Sequence, residues 1–249
     1  MKFSKLNALL LAGIIVIAII IFLLISQRSK SSGANGVVQI SKTGENIADS
    51  PVNFGYKCVW FAVKTENKNR LAELLKLNEI SSSNWKSGIE KAYNNQVFIT
   101  PPIDGWTLAC GLSLPHSASK EAIDKVKEIL TLLSSEFGEA QYFCTEHITE
   151  YHCWMKAKEG EITRVYSYLG ETGENIVVEG KPTKYEKKLN LGNTLIEGEK
   201  DEDASEKEDQ AFPNEATVMK IAEHWSIDPS KLAKRTDIPP SLGLTGKYK

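Results

Sequence analysis

The chain has 249 residues, of which 41% are hydrophobic and 25% are charged, and its formal net charge is −2. This length allows one domain with a substantial core in addition to terminal extensions. The nearly balanced charge excludes the basic surface that binding to a phosphate backbone requires, so we expect no nucleic-acid partner.

The first predicted element is a transmembrane helix at residues 6–26. The run from Ala8 to Ile25 has no charged side chain, and at about 1.5 Å per residue it covers about 27 Å, close to the roughly 30 Å hydrocarbon core of a bilayer. A cleaved signal peptide is the alternative, but this run is longer than a signal-peptide core and no A-x-A-like site follows it. The sequence therefore predicts a single-pass membrane protein that contacts the lipid bilayer through residues 6–26.

Basic residues flank the predicted helix on both sides. Lys2 and Lys5, in the flank formed by residues 1–5, precede it, and Arg28 and Lys30 follow it. Counted with the free amino terminus, these charges favour a cytoplasmic N-terminus under the positive-inside rule. We therefore expect the rest of the chain outside the cytoplasm, joined to the membrane by a flexible stalk at residues 27–54.

Residues 55–196 are predicted to form an α+β domain. The stretch 56–64 has a nearly continuous apolar centre, which is typical of a strand buried on both faces. A helix is expected after Asn67, a second at residues 84–94, and a third that ends at Gly138. Each has a capping residue at its start and an apolar stripe along one side.

Strands are predicted in the remainder of this domain. The β-rich runs 96–100 and 106–112 flank a Pro-Pro-Ile-Asp-Gly turn, which indicates an antiparallel hairpin. The aromatic-rich stretch 140–158 is expected to be one bent strand or two, followed by a meander to Glu179. The order β-α-α-β-β-α followed by strands indicates an α+β fold with helices packed on a mainly antiparallel sheet.

An acidic linker is predicted at residues 197–213, because it has too few apolar side chains to offset the entropy of ordering it. Beyond it, Asn214 is the expected cap of a helix whose apolar face ends at Trp225. The pair Asp228-Pro229 favours a further helical turn. We expect residues 214–249 to be a helical segment that docks on the domain, and contact with a partner protein is the alternative.

The segment from Cys144 to Cys153 contains the densest group of polar, chemically competent side chains. In an extended strand, alternation would place Cys144 and His152 on one face and His147 and Cys153 on the other. Neighbours on the same face lie about 6.5–7 Å apart, which is long for tetrahedral metal coordination. No spacing nominates a Cys–His nucleophilic pair. We therefore predict no catalytic residue, no metal site and no cofactor.

The cysteines are four in number, and no two of them have CxxC spacing. Outside the cytoplasm an even number permits disulfide bonds. Three of the cysteines lie in strongly apolar or aromatic runs, where a free thiol behaves as a small hydrophobic group. Pairing and burial as free thiols therefore both stay open. The cysteines are Cys58, Cys110, Cys144 and Cys153.

Five residues are candidates for an interaction surface with a protein partner. Trp106 and Asp104 lie in or beside the Pro-Pro-Ile-Asp-Gly turn, and aromatic residues in loops often anchor partners. The alternative is that Trp106 begins a strand and belongs to the core. His147 and His152 come from the polar segment, and Trp225 ends the apolar face of the C-terminal helix.

Six segments together resemble a family of uncharacterised bacterial proteins. They are VWFAVKT at 59–65, NWKSGIEKAY at 84–93, VFITPPIDGWTLACG at 97–111, FGEAQYFCTEHITEYHCWMKA at 137–157, VYSYLGE at 165–171 and HWSIDPSKL at 224–232. The resemblance implies that the C-terminal helical segment belongs with the domain and that the membrane anchor is an addition in front of it. No activity is established for that family, so the resemblance transfers no site residue.

The function favoured by the sequence is that of a membrane-anchored, non-enzymatic interaction or binding module. A protective or envelope-associated role is consistent with the expected location. The alternative is a hydrolase-like or metal-dependent enzyme that uses the strand from Cys144 to Cys153.

Overall fold

The computed structural model describes residues 44–195 and 211–249. The predicted membrane helix at 6–26, the first part of the stalk and most of the acidic linker lie outside these ranges. Within the described ranges, no helix is long and apolar enough to cross a bilayer.

One antiparallel sheet with helices on both faces makes up the described part of the chain. The strands are β1 (Cys58–Val63), β2 (Asn78–Ser83), β3 (Val97–Ile99), β4 (Thr107–Cys110), β5 (Glu139–Glu146), β6 (Tyr151–Lys158), β7 (Glu161–Leu169), β8 (Glu174–Glu179) and β9 (Gly243–Lys247). The helices are α1 (Lys68–Leu74), α2 (Trp85–Ala92), α3 (Lys120–Phe137), α4 (Lys184–Leu189) and α5 (Glu215–Trp225), with a 3₁₀ helix at Pro229–Lys234. The strand order is β2-β9-β3-β4-β1-β5-β6-β7-β8, and every neighbouring pair is antiparallel. The α+β class is confirmed.

Strand β1 is buried along its whole length. Its side chains alternate between two separate hydrophobic cores, since Val59, Phe61 and Val63 belong to one cluster and Cys58, Trp60 and Ala62 to the other. We call these the first and second faces of the sheet. Helices α1 and α3 supply apolar side chains to the first face, and α2, α5 and the 3₁₀ helix supply them to the second. The continuous apolar sequence of β1 is thus explained by helix layers on both sides.

The helices begin where the sequence supplies a capping side chain. At each start, that side chain accepts a hydrogen bond from a backbone N–H of the first turn, which satisfies one of the donors left free there. Helix α3 ends at Gly138, whose φ of 85° is accessible to glycine without a steric penalty. The caps are Asn67, Asn84, Ser119, Thr183, Asn214 and Asp228.

Two strands lack a sequence signal and were not predicted. Strand β2 is exposed over most of its length and polar, as suits the edge of the sheet. Strand β9 lies between β2 and β3, so the segment 214–249, which we expected to be helical, ends in a strand. A Cβ added to Gly243 would lie 2.3 Å from the carbonyl oxygen of Ile99. The close approach of backbones therefore favours glycine in β9, and glycine removes the apolar alternation that identifies a strand.

Residues 44–54 lie against the domain, although the sequence analysis assigned them to the stalk. The carboxylate of Asp49 accepts hydrogen bonds from the backbone N–H groups of Trp85 at 2.6 Å and Lys86 at 3.1 Å, at the start of α2. Phe54 is buried, and its N–H donates to the carbonyl of Pro229. These contacts extend the domain from residue 55 back to residue 44. Residues 44–54 have no periodic apolar pattern from which these contacts could be predicted.

The register defines two opposite ends of the sheet. Cys58 pairs with Thr145 at the end that holds the β5–β6 turn, and Val63 pairs with Thr107 at the end that holds the β3–β4 turn. Asp49 forms a bridge with Ser241, just before β9, at the β3–β4 end. The described chain therefore enters the domain at the end opposite the β5–β6 turn.

Candidate functional site

The polar segment from Cys144 to Cys153 is a hairpin, with the β5–β6 turn at residues 147–150. Cys144 lies directly opposite Cys153, and His152 lies directly opposite Thr145. The predicted placement of Cys144 and His152 on one face is therefore wrong. The turn, in which Glu150 has a φ of 50°, interrupts the alternation that a single strand would impose.

Cys144 and Cys153 belong to the first-face core and are free thiols. The loop between β4 and α3, residues 111–119, lies beside them, and we call it the cover loop. The Sγ atom of Cys144 is 3.9 Å from Nδ1 of His116 in this loop. The hydroxyl of Tyr142 donates a hydrogen bond to the carbonyl of Pro115 at 2.9 Å.

The cover loop is also held by Tyr151. Its hydroxyl donates to the backbone carbonyl of Ser117 and lies 2.8 Å from the Oγ of the same serine. A third contact joins it to Oγ of Ser167 at 3.0 Å. The thiol pair is therefore enclosed on one side by a small group of hydroxyls and an imidazole rather than by apolar side chains alone.

The structure thus brings together a cysteine and a histidine that sequence spacing did not nominate. Burial raises the pKa of the Cys144 thiol well above its usual value. Partial desolvation of the imidazole lowers the pKa of His116, although this residue is exposed overall. Both groups are therefore neutral near pH 7, in contrast to the thiolate that nucleophilic catalysis requires. Cys144 and His116 are thus the residue types of a nucleophilic site, but the thiol is not ionised as such a site requires.

His152 lies on the second face with only 3% of its surface exposed. Its Nδ1 shares a hydrogen bond of 3.1 Å with Oγ1 of Thr145. Burial lowers the pKa of His152 to about 4, and the carboxylate of Glu146 acts in the opposite direction. A buried, neutral histidine cannot belong to an exposed interaction surface, which corrects its inclusion among the five candidates.

Trp225 is also buried, with 8% of its surface exposed. Its ring lies 5.9 Å from that of Phe143, and the Nζ of Lys156 lies 4.7 Å from the ring centroid. The side chain of Gln141 donates to the carbonyl of Trp225 at 3.1 Å. The apolar face of α5 is therefore used within the domain, and Trp225 is not available to a partner.

Asp104 and Trp106 lie at the β3–β4 end of the sheet. Asp104 and Gly105 both have positive φ, as expected for a two-residue hairpin turn. The guanidinium of Arg235 binds both carboxylate oxygens of Asp104, at 3.0 and 3.2 Å. Trp106 is half-buried and packs against the second-face core. This position agrees better with the alternative in which Trp106 belongs to the core than with an exposed anchor for a partner. His147 is exposed in the β5–β6 turn, so the five candidates do not form one surface.

A different set of exposed hydrophobic side chains lies at the β5–β6 end. In residues 44–195 and 211–249, eight large hydrophobic side chains are exposed. Tyr56 precedes β1, Leu112 follows β4, and Ile148 lies in the β5–β6 turn with 89% of its surface exposed. These positions are at one end of the sheet because β1, β4 and β5 are neighbours in it.

Two further exposed side chains lie at the same end. The backbone N–H of Asn175, at the start of β8, donates to Oγ1 of Thr194, which places Leu195 there. The ring of Phe212 stacks on Tyr168 at 5.5 Å, and Tyr168 pairs with His152. We call this group of five the end surface; it comprises Tyr56, Leu112, Ile148, Leu195 and Phe212. No local sequence pattern indicates this group, because it depends on strand order.

Neither metal ligation nor relatives identify a function. Across the part of the chain that the structure describes, no group of three or more His, Cys, Asp or Glu side chains is arranged to hold a metal ion. Comparison with protein-family models, curated proteins and solved structures found no match. The resemblance to an uncharacterised bacterial family stays a prediction.

The buried imidazole of His152 predicts a specific loss of stability in mild acid. Between its ordinary pKa of 6.5 and its folded pKa of about 4, the unfolded chain binds a proton that the native chain does not. Stability therefore falls as the pH is lowered through this window, by up to about 3 kcal/mol, and is unaffected above it. Urea denaturation at pH 7 and pH 4.5 should show a smaller acid loss in His152→Gln than in the unsubstituted chain.

His147→Gln is the matched control, because His147 is exposed in the adjacent turn. It should show the same acid loss as the unsubstituted chain. An acid loss in His152→Gln as large as in the unsubstituted chain would contradict the account of His152 as buried and neutral.

Proposed function

We propose that this chain is a single-pass membrane protein whose α+β domain is a non-enzymatic binding module, and that its end surface contacts a protein partner. The observation that supports the contact site is the concentration of exposed apolar side chains at the β5–β6 end, with Ile148 almost fully exposed at its tip. Five of the eight large hydrophobic side chains exposed in the described ranges lie at this end, and exposed apolar groups of this kind often mark a protein contact.

The proposed tether consists of residues 6–26, with the domain outside the cytoplasm. Residues 44–49 lie at the β3–β4 end, so the end surface is on the far side of the domain from the point where the chain enters it. This geometry is suited to a module that contacts another envelope component. It supports a protective or envelope-associated role.

The state of the chemically competent side chains also supports binding rather than catalysis. Burial raises the pKa of the Cys153 thiol to about 12, as it also raises that of Cys58 to about 12. Cys110 and Cys144 are completely buried as well. While the domain is closed, burial keeps these thiols neutral, whereas the reactive species is the thiolate.

Site-specific photo-crosslinking in the host cells tests the proposed contact. A photoreactive amino acid at Ile148 of the full-length chain should give one discrete, light-dependent product with a membrane or envelope protein. The matched control is Ile80, which is also exposed but lies on β2, at the edge of the sheet beyond β9. Absence of a product from position 148, or the same product from both positions, would contradict the proposal.

The second candidate function is a hydrolase-like enzyme that uses Cys144, and the 3.9 Å contact with His116 favours it. A fragment comprising residues 29–249 should be soluble and should not turn over ester, peptide or phosphate substrates. Turnover that is lost in both Cys144→Ser and His116→Gln, but retained in Cys58→Ser, would establish the enzyme instead. Stoichiometric, tightly bound metal in the purified chain would favour the metal-dependent form of this alternative.

A further inference from the structure

The register of the β5–β6 hairpin places two thiols in position to form a bond. Cys144 and Cys153 are directly opposite each other, with both side chains in the first-face core. Directly opposite residues of antiparallel strands have Cα atoms about 4.5–5.5 Å apart. A disulfide requires a Cα separation of roughly 4.4–6.8 Å, so this pair can be bridged without a change of register.

The other two cysteines are not arranged in this way. Cys110 pairs with Trp60 rather than with Cys58, although both thiols belong to the second-face core. Only a diagonal approach across β1 and β4 would bring them together, and such diagonal neighbours are roughly 7–8 Å apart at Cα. The four cysteines therefore divide into one aligned pair and one offset pair.

The aligned pair also has polar groups beside it that can assist proton transfer. His116 contacts Cys144 and lies in an exposed part of the cover loop. The hydroxyls of Ser117, Tyr151 and Ser167 lie beside the Cys153 thiol and partly offset the effect of burial on its pKa. The aligned pair thus has an imidazole on one sulfur and hydroxyl donors around the other.

We propose that Cys144 and Cys153 form a thiol–disulfide exchange site that a low-molecular-weight disulfide, such as glutathione disulfide, converts into a cross-strand disulfide. The site lies beneath the cover loop, and the reaction requires that loop to lift. Two tyrosine hydroxyls hold the loop in place, that of Tyr142 on Pro115 and that of Tyr151 on Ser117. The opening of the loop therefore limits the rate.

The reaction proceeds in two displacements. His116 takes the proton of the Cys144 thiol, and the resulting thiolate attacks one sulfur of the disulfide oxidant. This step forms a mixed disulfide and releases a thiolate, which is protonated by His116. With the loop lifted, the Cys153 thiol gives its proton to solvent and attacks Sγ of Cys144. The bond between Sγ of Cys144 and the oxidant's sulfur breaks, and the second thiolate leaves and takes up a proton from solvent. Two protein thiols are oxidised by two electrons, and one disulfide is reduced to two thiols.

The test uses the full-length chain in mild detergent, incubated with mixtures of reduced and oxidised glutathione. The reaction is stopped with acid, free thiols are labelled with a maleimide after denaturation, and the non-reduced digest is analysed by mass spectrometry. We expect the loss of two of the four labelled thiols and a peptide in which Cys144 is linked to Cys153. Tyr142→Phe should oxidise about fivefold faster, because it lacks one hydrogen bond that holds the cover loop.

Two variants make the result specific. The double variant Cys58→Ala, Cys110→Ala retains the aligned pair and should form the same linked peptide. His116→Gln should form it more slowly and to the same final extent. Four labelled thiols under the most oxidising mixture would overturn the proposal. So would a linked Cys58–Cys110 peptide, or a Cys144–glutathione adduct that is never displaced by Cys153. Each of these outcomes is to be scored in the unsubstituted chain.

Discussion

The two-sided burial of the central strands is the constraint on which the rest of the domain depends. Strand β1 presents apolar side chains to both faces of the sheet, and most of β5 and β6 is buried on both faces. At about 25 cal/mol per Å² of apolar surface removed from water, neither face can be left uncovered. Helices α1 and α3 cover one face, while α5 and the 3₁₀ helix return from the C-terminal part of the chain to cover the other. Distant segments are joined into one domain for this reason.

The same constraint determines where functional groups lie. Cys144 and His152, whose residue types can act in catalysis, belong to the hairpin and are buried with it. Their burial keeps them neutral. Apolar side chains such as Ile148 occur at the turns, where the sheet ends and no helix covers them. The domain therefore exposes five large apolar side chains at one end and keeps its thiols inside, which is the arrangement on which the proposed binding role and the proposed thiol site are based.

Sequence patterns predicted the features of this fold that depend on local interactions. Capping residues such as Asn67 and Asn214 located the helices, and the Asp104-Gly105 pair located the first hairpin. Features that depend on distant contacts were not predictable. Strand β9 has two glycines and is defined only by its neighbours, and the face of His152 depends on the length of one turn. The contact of Cys144 with His116 joins residues 28 positions apart, and the end surface depends on strand order.

The proposed function rests on the insertion of residues 6–26 into a bilayer, which alkaline carbonate extraction tests most directly. Membranes from cells that produce the full-length chain are washed at high pH, which removes peripheral proteins and leaves membrane-spanning proteins in the pellet. We predict that the full-length chain stays in the pellet and that a chain lacking residues 6–26 is found in the soluble fraction. Release of the full-length chain by carbonate would contradict the account of this protein as a membrane-tethered module.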